Sequence, residues 1–283
     1  MITLSAPAKI NLYLHVTGKR PDGYHLLDSL VMFLHDMSDT LVLERADKLQ
    51  ISVTGLVPKG ADGEDNLAAR AVKAVAQHVG REPNIRIRLE KTIPAGAGLG
   101  GGSSDAAATV KGLEQLWDLS LTSEERDGIL LSLGADVPAC YRARPCRFEG
   151  IGEIISDVPA LPHFSILLIW PDTHSATKDI FAARAPNFRT VRPSMPSHFG
   201  DLISLLAFLG ETENDLQATA ESLTPAIVAA RAFLETRSGC LLTRMSGSGS
   251  CIFGIFDDRQ LCDAAQAAAH AKFPAWWTHV GIV

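Results

Sequence analysis

The stretch Pro94-Ala95-Gly96-Ala97-Gly98-Leu99-Gly100-Gly101-Gly102-Ser103-Ser104 constrains this chain most, because five of the seven residues from 96 to 102 are glycine. Glycine loses the most backbone entropy on folding and gives a core nothing to pack, so such density is costly. It makes sense where backbone wraps closely round a ligand. Successive N–H groups in a loop that feeds a helix amino terminus form a site for phosphate oxygens. Upstream, Ile85, Ile87 and Leu89 alternate with Arg86, Arg88 and Glu90, which predicts a half-exposed strand. Downstream, Ser103 or Ser104 is placed to cap a helix from Asp105 to about Trp117. A strand before and a capped helix after favour a phosphate cradle over a flexible surface turn.

Gly96, Gly98 and Gly101 also satisfy the G-x-G-x-x-G spacing of dinucleotide sites. Their context argues against that reading. Pro94 sits in the turn, the preceding strand alternates with charge, and no acidic residue ends a second strand about 20 residues on. The Walker A pattern is absent too, since no Gly-Lys-Ser/Thr closes the loop.

The rest of the chain reads as a mixture of amphipathic strands and helices, an α+β arrangement. In the opening segment Ile10, Leu12, Leu14 and Val16 alternate with Lys9, Asn11, Tyr13 and His15, which predicts a strand with one buried face. Gly18 and Pro21-Asp22-Gly23 break it, and short strands are expected at 41–43 and 49–53. Helices are expected over 66–79, from a Thr122 to Glu125 capping box to Gly134, over 202–209, near 215–221, over 224–236 and over 259–272. Strands are expected at 164–170, 240–244 and 251–256, and residues 185–200 read as a loop. A composition change near 150–159 suggests two lobes, 1–155 and 156–283. With 26 basic and 32 acidic residues the net charge is −6, so no general electrostatic footprint for nucleic acid or an anionic membrane is expected. No apolar run reaches the roughly 18 residues of a membrane span, and the amino terminus lacks a signal or transit pattern, so a cytoplasmic protein is expected. Five cysteines without CxxC spacing read as buried reduced thiols rather than a metal site.

Three motifs in order resemble those of the GHMP small-molecule kinases. They are Pro7-Ala8-Lys9-Ile10-Asn11-Leu12 with Gly18-Lys19-Arg20-Pro21-Asp22-Gly23-Tyr24-His25 behind it, the glycine-serine loop, and Ser246-Gly247-Ser248-Gly249-Ser250 before an apolar strand. The Gly-Lys-Arg-Pro-Asp-Gly-Tyr-His string is similar to that of a member acting on a cytidine diphospho-sugar-alcohol. The resemblance implies a two-lobed fold: a nucleotide-binding lobe with a left-handed βαβ unit, against the usual handedness, and a ferredoxin-like second lobe. It implies ATP as phosphoryl donor, a hydroxyl of a small, already phosphorylated metabolite as acceptor, and Mg2+ to neutralise the phosphates.

The resemblance also implies roles. Asp136, in Gly134-Ala135-Asp136-Val137-Pro138, matches the catalytic aspartate, with Lys9 beside it; without the resemblance, an Asp two residues before Pro reads more readily as a helix cap. Pro94, Ala95, Gly96, Ala97, Gly98, Leu99, Gly100, Gly101, Gly102, Ser103 and Ser104 match the nucleotide phosphate loop, and Asn66 and Lys91 positions near adenine and ribose. Asn11, Tyr24, His25, Thr177 and Phe181 match acceptor contacts, and Gly247, Ser248 and Gly249 a loop closing near the phosphates and the reacting end of the acceptor. The pattern names no protein ligand for Mg2+. The expected partner is the small-molecule acceptor, without nucleic acid or membrane, for a monomer or homodimer. Competing expectations are a kinase for another small alcohol, a nucleotide sensor without catalysis, and a nicotinamide-dependent oxidoreductase.

Overall fold

The computed structural model describes residues 1–56, 63, 65–173 and 176–283. Strand β1 (Ile2–Lys19) turns through Arg20–Tyr24 and pairs along its whole length with β2 (His25–Arg45) in an antiparallel ribbon. The other edge of β2 carries β4 (Ile85–Lys91) near one end and β5 (Cys146–Gly150) near the other. Strand β3 (Gln50–Gly55) lies outside β4 and parallel to it, and β6 (Ile154–Asp157) lies outside β5. Helix α1 (Leu67–Val79) crosses from β3 to β4, completing a βαβ unit. Helix α1, α2 (Gly101–Trp117), α3 (Ser123–Leu133) and α4 (Val137–Arg142) enclose one core against the sheet, with Val72, Val75, Val110 and Leu113 facing Leu41, Leu43, Ile85 and Ile87.

The second sheet has the order β10-β7-β9-β8 and is antiparallel throughout. Its strands are β7 (Ser165–Trp170), β8 (Cys240–Met245), β9 (Ile252–Phe256) and β10 (Trp277–Ile282). Helices α5 (Thr177–Ala183), α6 (Leu202–Gly210), α7 (Gln217–Leu223) and α8 (Pro225–Glu235) lie between β7 and β8, and α9 (Arg259–Lys272) between β9 and β10. This β-α-β-β-α-β order is the ferredoxin-like plan. The first sheet ends at Asp157 and the second starts at Ser165, so the boundary expected at 155/156 falls inside β6. Ala8, Ile10 and Leu12 of β1 share a core with Phe164, Ile166 and Phe253, which welds the two sheets together.

Three expectations are corrected. Strand β1 is buried on both faces: every residue from Ala6 to Val16 is shielded from solvent. Its polar residues alternate because each has an internal partner, not because they meet water: Asn11 bonds Ser29, Tyr13 bonds Asp28, and the Glu213 N–H donates to His15. A bulge between Asn11 and Tyr13 also splits the apolar stripe, so Ile10 and Leu12 join Tyr13 in one cluster while Leu14 and Val16 join another. Second, the 41–43 segment is only the end of β2; Ser29 to Leu34 are covered on both faces and show no period of two. Third, α2 starts at Gly101 rather than Asp105, with Gly100 as its cap and no side chain in the capping role. Ser104 lies in the first turn instead, its hydroxyl donating to the Pro7 carbonyl at 2.7 Å.

Candidate active site

A cavity of about 770 Å³ lies between the two lobes, a size suited to a small-molecule ligand. The loop 94–103 forms one wall, Asn66, Leu67 and Lys91 stand at one end, and Ala176, Thr177, Phe181 and residues 247–249 at the other. Lys9 and Asp136 meet in this cavity. The Lys9 ammonium is 3.0 Å from the Asp136 carboxylate and donates to Asn11 Oδ1 at 2.6 Å. Lys9 is buried, whereas a third of the Asp136 side chain is open to the cavity. Asp136 stands at the N-cap of α4 yet accepts no capping bond, so the cap reading fails and its carboxylate turns to Lys9. The pair leaves part of the carboxylate open to the cavity, where a substrate hydroxyl can reach it.

The three motifs are joined by hydrogen bonds. The Lys9 N–H donates to the Leu99 carbonyl at 2.8 Å, and the Cys251 N–H donates to Ala97 at 2.9 Å. The Ser246 hydroxyl donates to the Gly98 carbonyl at 3.0 Å and accepts from the Asn11 N–H at 3.1 Å. Gly98, at φ +79°, faces the loop 246–250 so closely that a Cβ there would lie 2.9 Å from the Gly249 carbonyl oxygen and closer still to that of Ser246. Toward the other end, the Thr177 and Ser248 hydroxyls are 2.8 Å apart. The His25 ring stacks on Phe181, with centroids 4.7 Å apart and planes inclined by 25°. Tyr24 beside it is exposed. Burial and the nearby charges of Lys19 and Arg184 hold the His25 imidazole below its ordinary pKa.

Two family models match the chain: the GHMP kinases N terminal domain over residues 66–144 and the GHMP kinases C terminal domain over 193–275. A protein of Cereibacter sphaeroides named 4-diphosphocytidyl-2-C-methyl-D-erythritol kinase is 42% identical over 276 residues, covering 96% of this chain and 95% of that protein. The crystal structure of a 4-(cytidine 5'-diphospho)-2C-methyl-D-erythritol kinase superposes with a TM-score of 0.76 at 30% identity, covering 99% of this chain and 98% of that one. The chain belongs to the GHMP kinase family. A homoserine kinase from Cytophaga hutchinsonii, 18% identical with a TM-score of 0.71 over 99% of this chain and 93% of its own, shares the fold.

This kinase therefore uses ATP on a small molecule, and its cavity gathers most of the residues singled out from the sequence. Lys9, Asn66, Lys91, residues 94–103, Asp136, Thr177, Phe181 and 247–249 all line it. Asn11 stands behind Lys9, Ser104 lies beneath the loop, and Tyr24 and His25 sit outside the wall, His25 on Phe181. Lys91 has a partner set that the sequence reading missed. Its ammonium is clamped between Asp39 and Asp105, the latter at 2.6 Å, and Asp39 also accepts from the Thr92 and Ile93 N–H groups at 2.6 and 2.9 Å. Burial works to lower the Lys91 pKa, but the two carboxylates outweigh it and hold it above its ordinary value. Burial also pushes the Asp105 carboxyl up to about 7 against the pull of Lys91. Asp39 and Asp105 escaped notice because single carboxylates carry no pattern until the fold brings them to one lysine. Among the described residues, no group of three or more His, Cys, Asp or Glu side chains is placed to hold a metal ion. No helix among them is long and apolar enough to cross a membrane.

Proposed function

We propose that this kinase transfers the terminal phosphoryl group of ATP to the 2-hydroxyl of 4-diphosphocytidyl-2-C-methyl-D-erythritol, a step in making isoprenoid precursors by the non-mevalonate route. The observation that carries the reading is the Lys9–Asp136 pair, 3.0 Å apart, in a cavity walled by the glycine loop and residues 247–249. The acceptor oxygen forms a bond to the γ-phosphorus, the bond from that phosphorus to the β–γ bridging oxygen breaks, and ADP leaves. Asp136 takes the hydroxyl proton as transfer proceeds, and Lys9 orients the carboxylate and balances charge on the moving group. The loop 94–103 and the first turn of α2 supply backbone N–H groups for the ATP phosphates, with Asn66 and Lys91 at the base and ribose end. Phe181, His25 and Tyr24 take the cytosine ring, and Asn11, Thr177 and residues 247–249 the remainder of the acceptor.

Mg2+, which supplies charge neutralisation between the β- and γ-phosphates, fits a site with few protein ligands, since it keeps waters and takes most of its oxygens from phosphate. The Ser103 hydroxyl in the cavity wall is the side chain placed to assist, whereas Ser104 is engaged with Pro7. The lobe that ends with β6 carries the nucleotide, the lobe that begins with β7 closes over the acceptor, and the reaction is a cytoplasmic one. The test follows ADP release from purified protein with MgATP, with and without the cytidine diphospho-methylerythritol. Release that requires this acceptor, and that CTP or free methylerythritol phosphate cannot support, is the expected result. Release with mevalonate, homoserine or a sugar instead would overturn the acceptor assignment.

A further inference from the structure

The short turn before α7 holds Asn214, a buried residue that no part of the proposed chemistry uses. Its amide makes two bonds into the loop that follows β8: Nδ2 donates to the Met245 carbonyl and to the Gly247 carbonyl, each at 2.8 Å. Its Oδ1 accepts from the Leu216 N–H at 2.9 Å, which fixes the orientation of the amide. The turn itself is pinned to β1. Leu14 donates to Glu213 O at 3.1 Å and Asp215 donates to Leu14 O at 2.8 Å, a parallel bridge beside Asn214. Asp215 also accepts from the Val16 N–H at 2.8 Å. Next to it, the buried Arg244 guanidinium donates to the carbonyls of Leu12, Leu209 and Thr212 at 2.7, 2.9 and 2.7 Å. Burial lowers its pKa to about 10, still well above neutrality, so it remains a cation held by carbonyls. Asn214 thus reaches the 246–250 loop from a base that is fixed to the same strand as Lys9.

We infer that Asn214 is a positioning residue that sets the Gly247–Ser248 peptide plane so that the Ser248 N–H points into the cavity, at the transferred phosphoryl group. The peptide is planar and trans, so its C=O and N–H point in opposite directions. The carbonyl is drawn back onto Asn214, which lies behind the loop and outside the cavity wall, whereas Gly247, Ser248 and Gly249 line it. The N–H is thereby turned to the cavity side. Gly247 is also close to the catalytic lysine's support: a Cβ on it would stand 3.3 Å from Asn11 Oδ1, the oxygen that accepts from Lys9. A preset N–H in such a place stabilises charge that grows during transfer, and removing one donor of this kind costs about 10²–10³ in turnover. The two Nδ2 bonds make the amide irreplaceable by a carboxylate, which has no N–H to offer the two carbonyls.

This inference rests on the kinase reading. Its test compares wild type, Asn214→Asp and Ser248→Pro in the same MgATP and acceptor assay. Asn214→Asp keeps the shape and the Leu216 bond but sets an oxygen against two carbonyl oxygens; Ser248→Pro removes the proposed backbone donor together with the hydroxyl and fixes φ there, and Ser248→Ala removes the hydroxyl alone. Expected are turnover losses of about 10²-fold in Asn214→Asp and in Ser248→Pro with the KM for ATP within about threefold of wild type. The double variant is expected to be no worse than the single ones, because both remove the same bond to the phosphoryl group. The loss in Ser248→Pro should exceed that in Ser248→Ala by about tenfold or more. Thermal melts report folding separately, and if Asn214→Asp fails to fold, Ser248→Pro decides alone. Wild-type turnover with unchanged turnover in Ser248→Pro, or multiplicative losses in the double variant, would overturn the inference while leaving the kinase reading intact. An inactive wild type would overturn the kinase reading itself.

Discussion

Replacing Gly98 by alanine tests whether the two glycine loops must touch. Gly98 sits at φ +79°, where an L side chain costs about 1–2 kcal/mol. Beyond that strain, its new Cβ would lie 2.9 Å from Gly249 O and 3.1 Å from Gly249 N, whereas ordinary contact starts at 3.4 Å, and the Ser246 carbonyl is nearer still. These obstacles are backbone atoms, so the loop 246–250 must retreat by roughly 1 Å as a body. A displacement of that size at a reacting centre costs about 10²-fold in turnover. Ser246 passes the shift to Asn11, and Asn11 to Lys9. Gly98→Ala is therefore expected to lose about 10²-fold in kcat, measured by coupled ADP release, and about 2–3 kcal/mol of stability in urea unfolding, the strain plus a modest packing loss. Gly80→Ala is the control. Gly80, the cap of α1, has φ +64° with nothing within 4 Å of its would-be Cβ, so that variant carries strain without a clash. It should lose about 1–2 kcal/mol and keep its turnover. Gly98→Ala turnover within threefold of wild type, or an equal loss in Gly80→Ala, would refute the reasoning.

Asp136→Asn should lose about 10²–10⁴-fold in kcat, the range for a general base, with melting within a few degrees of wild type because Asp136 is partly open and Lys9 keeps Asn11 as a partner; near-normal turnover would remove Asp136 from the role. Phe181→Ala should raise the acceptor KM about tenfold and leave the KM for ATP alone, since stacking on a base contributes about 1–3 kcal/mol; initial rates at varied acceptor check it. The pH dependence of stability should show Asp105. Its folded pKa of about 7 lies above the unfolded value of 3.8, so the fold binds that proton more tightly and stability falls as pH rises from about 4 through 7. Urea midpoints of Asp105→Asn against wild type should converge near pH 4 and diverge toward pH 8, the variant being relatively more stable at the upper end; parallel curves would sink the assignment.

The glycine run, the lysine before it and the serine-glycine loop near the other end of the chain were legible because each is a local pattern with a local physical cause. Backbone that must approach a ligand needs glycine, and a phosphate needs N–H donors; both requirements are written over a dozen residues. The helix after Thr122 was equally plain, because its capping box with Glu125 is a contest within one turn. What the sequence concealed depended on partners far along the chain. Ser29 to Leu34 in β2 are buried on both faces and carry no alternation, and β1 alternates although both its faces are covered. Period of two reports chemical alternation, and only packing decides whether the polar half meets water or Asp28, Ser29 and Asp136. The fold alone set Asp39 and Asp105 on either side of Lys91, and Asn214 behind Gly247, across separations of up to 52 residues for the first and 33 for the second. Single carboxylates and amides acquire meaning from the atom placed opposite them, and that placement is a property of the closed tertiary structure.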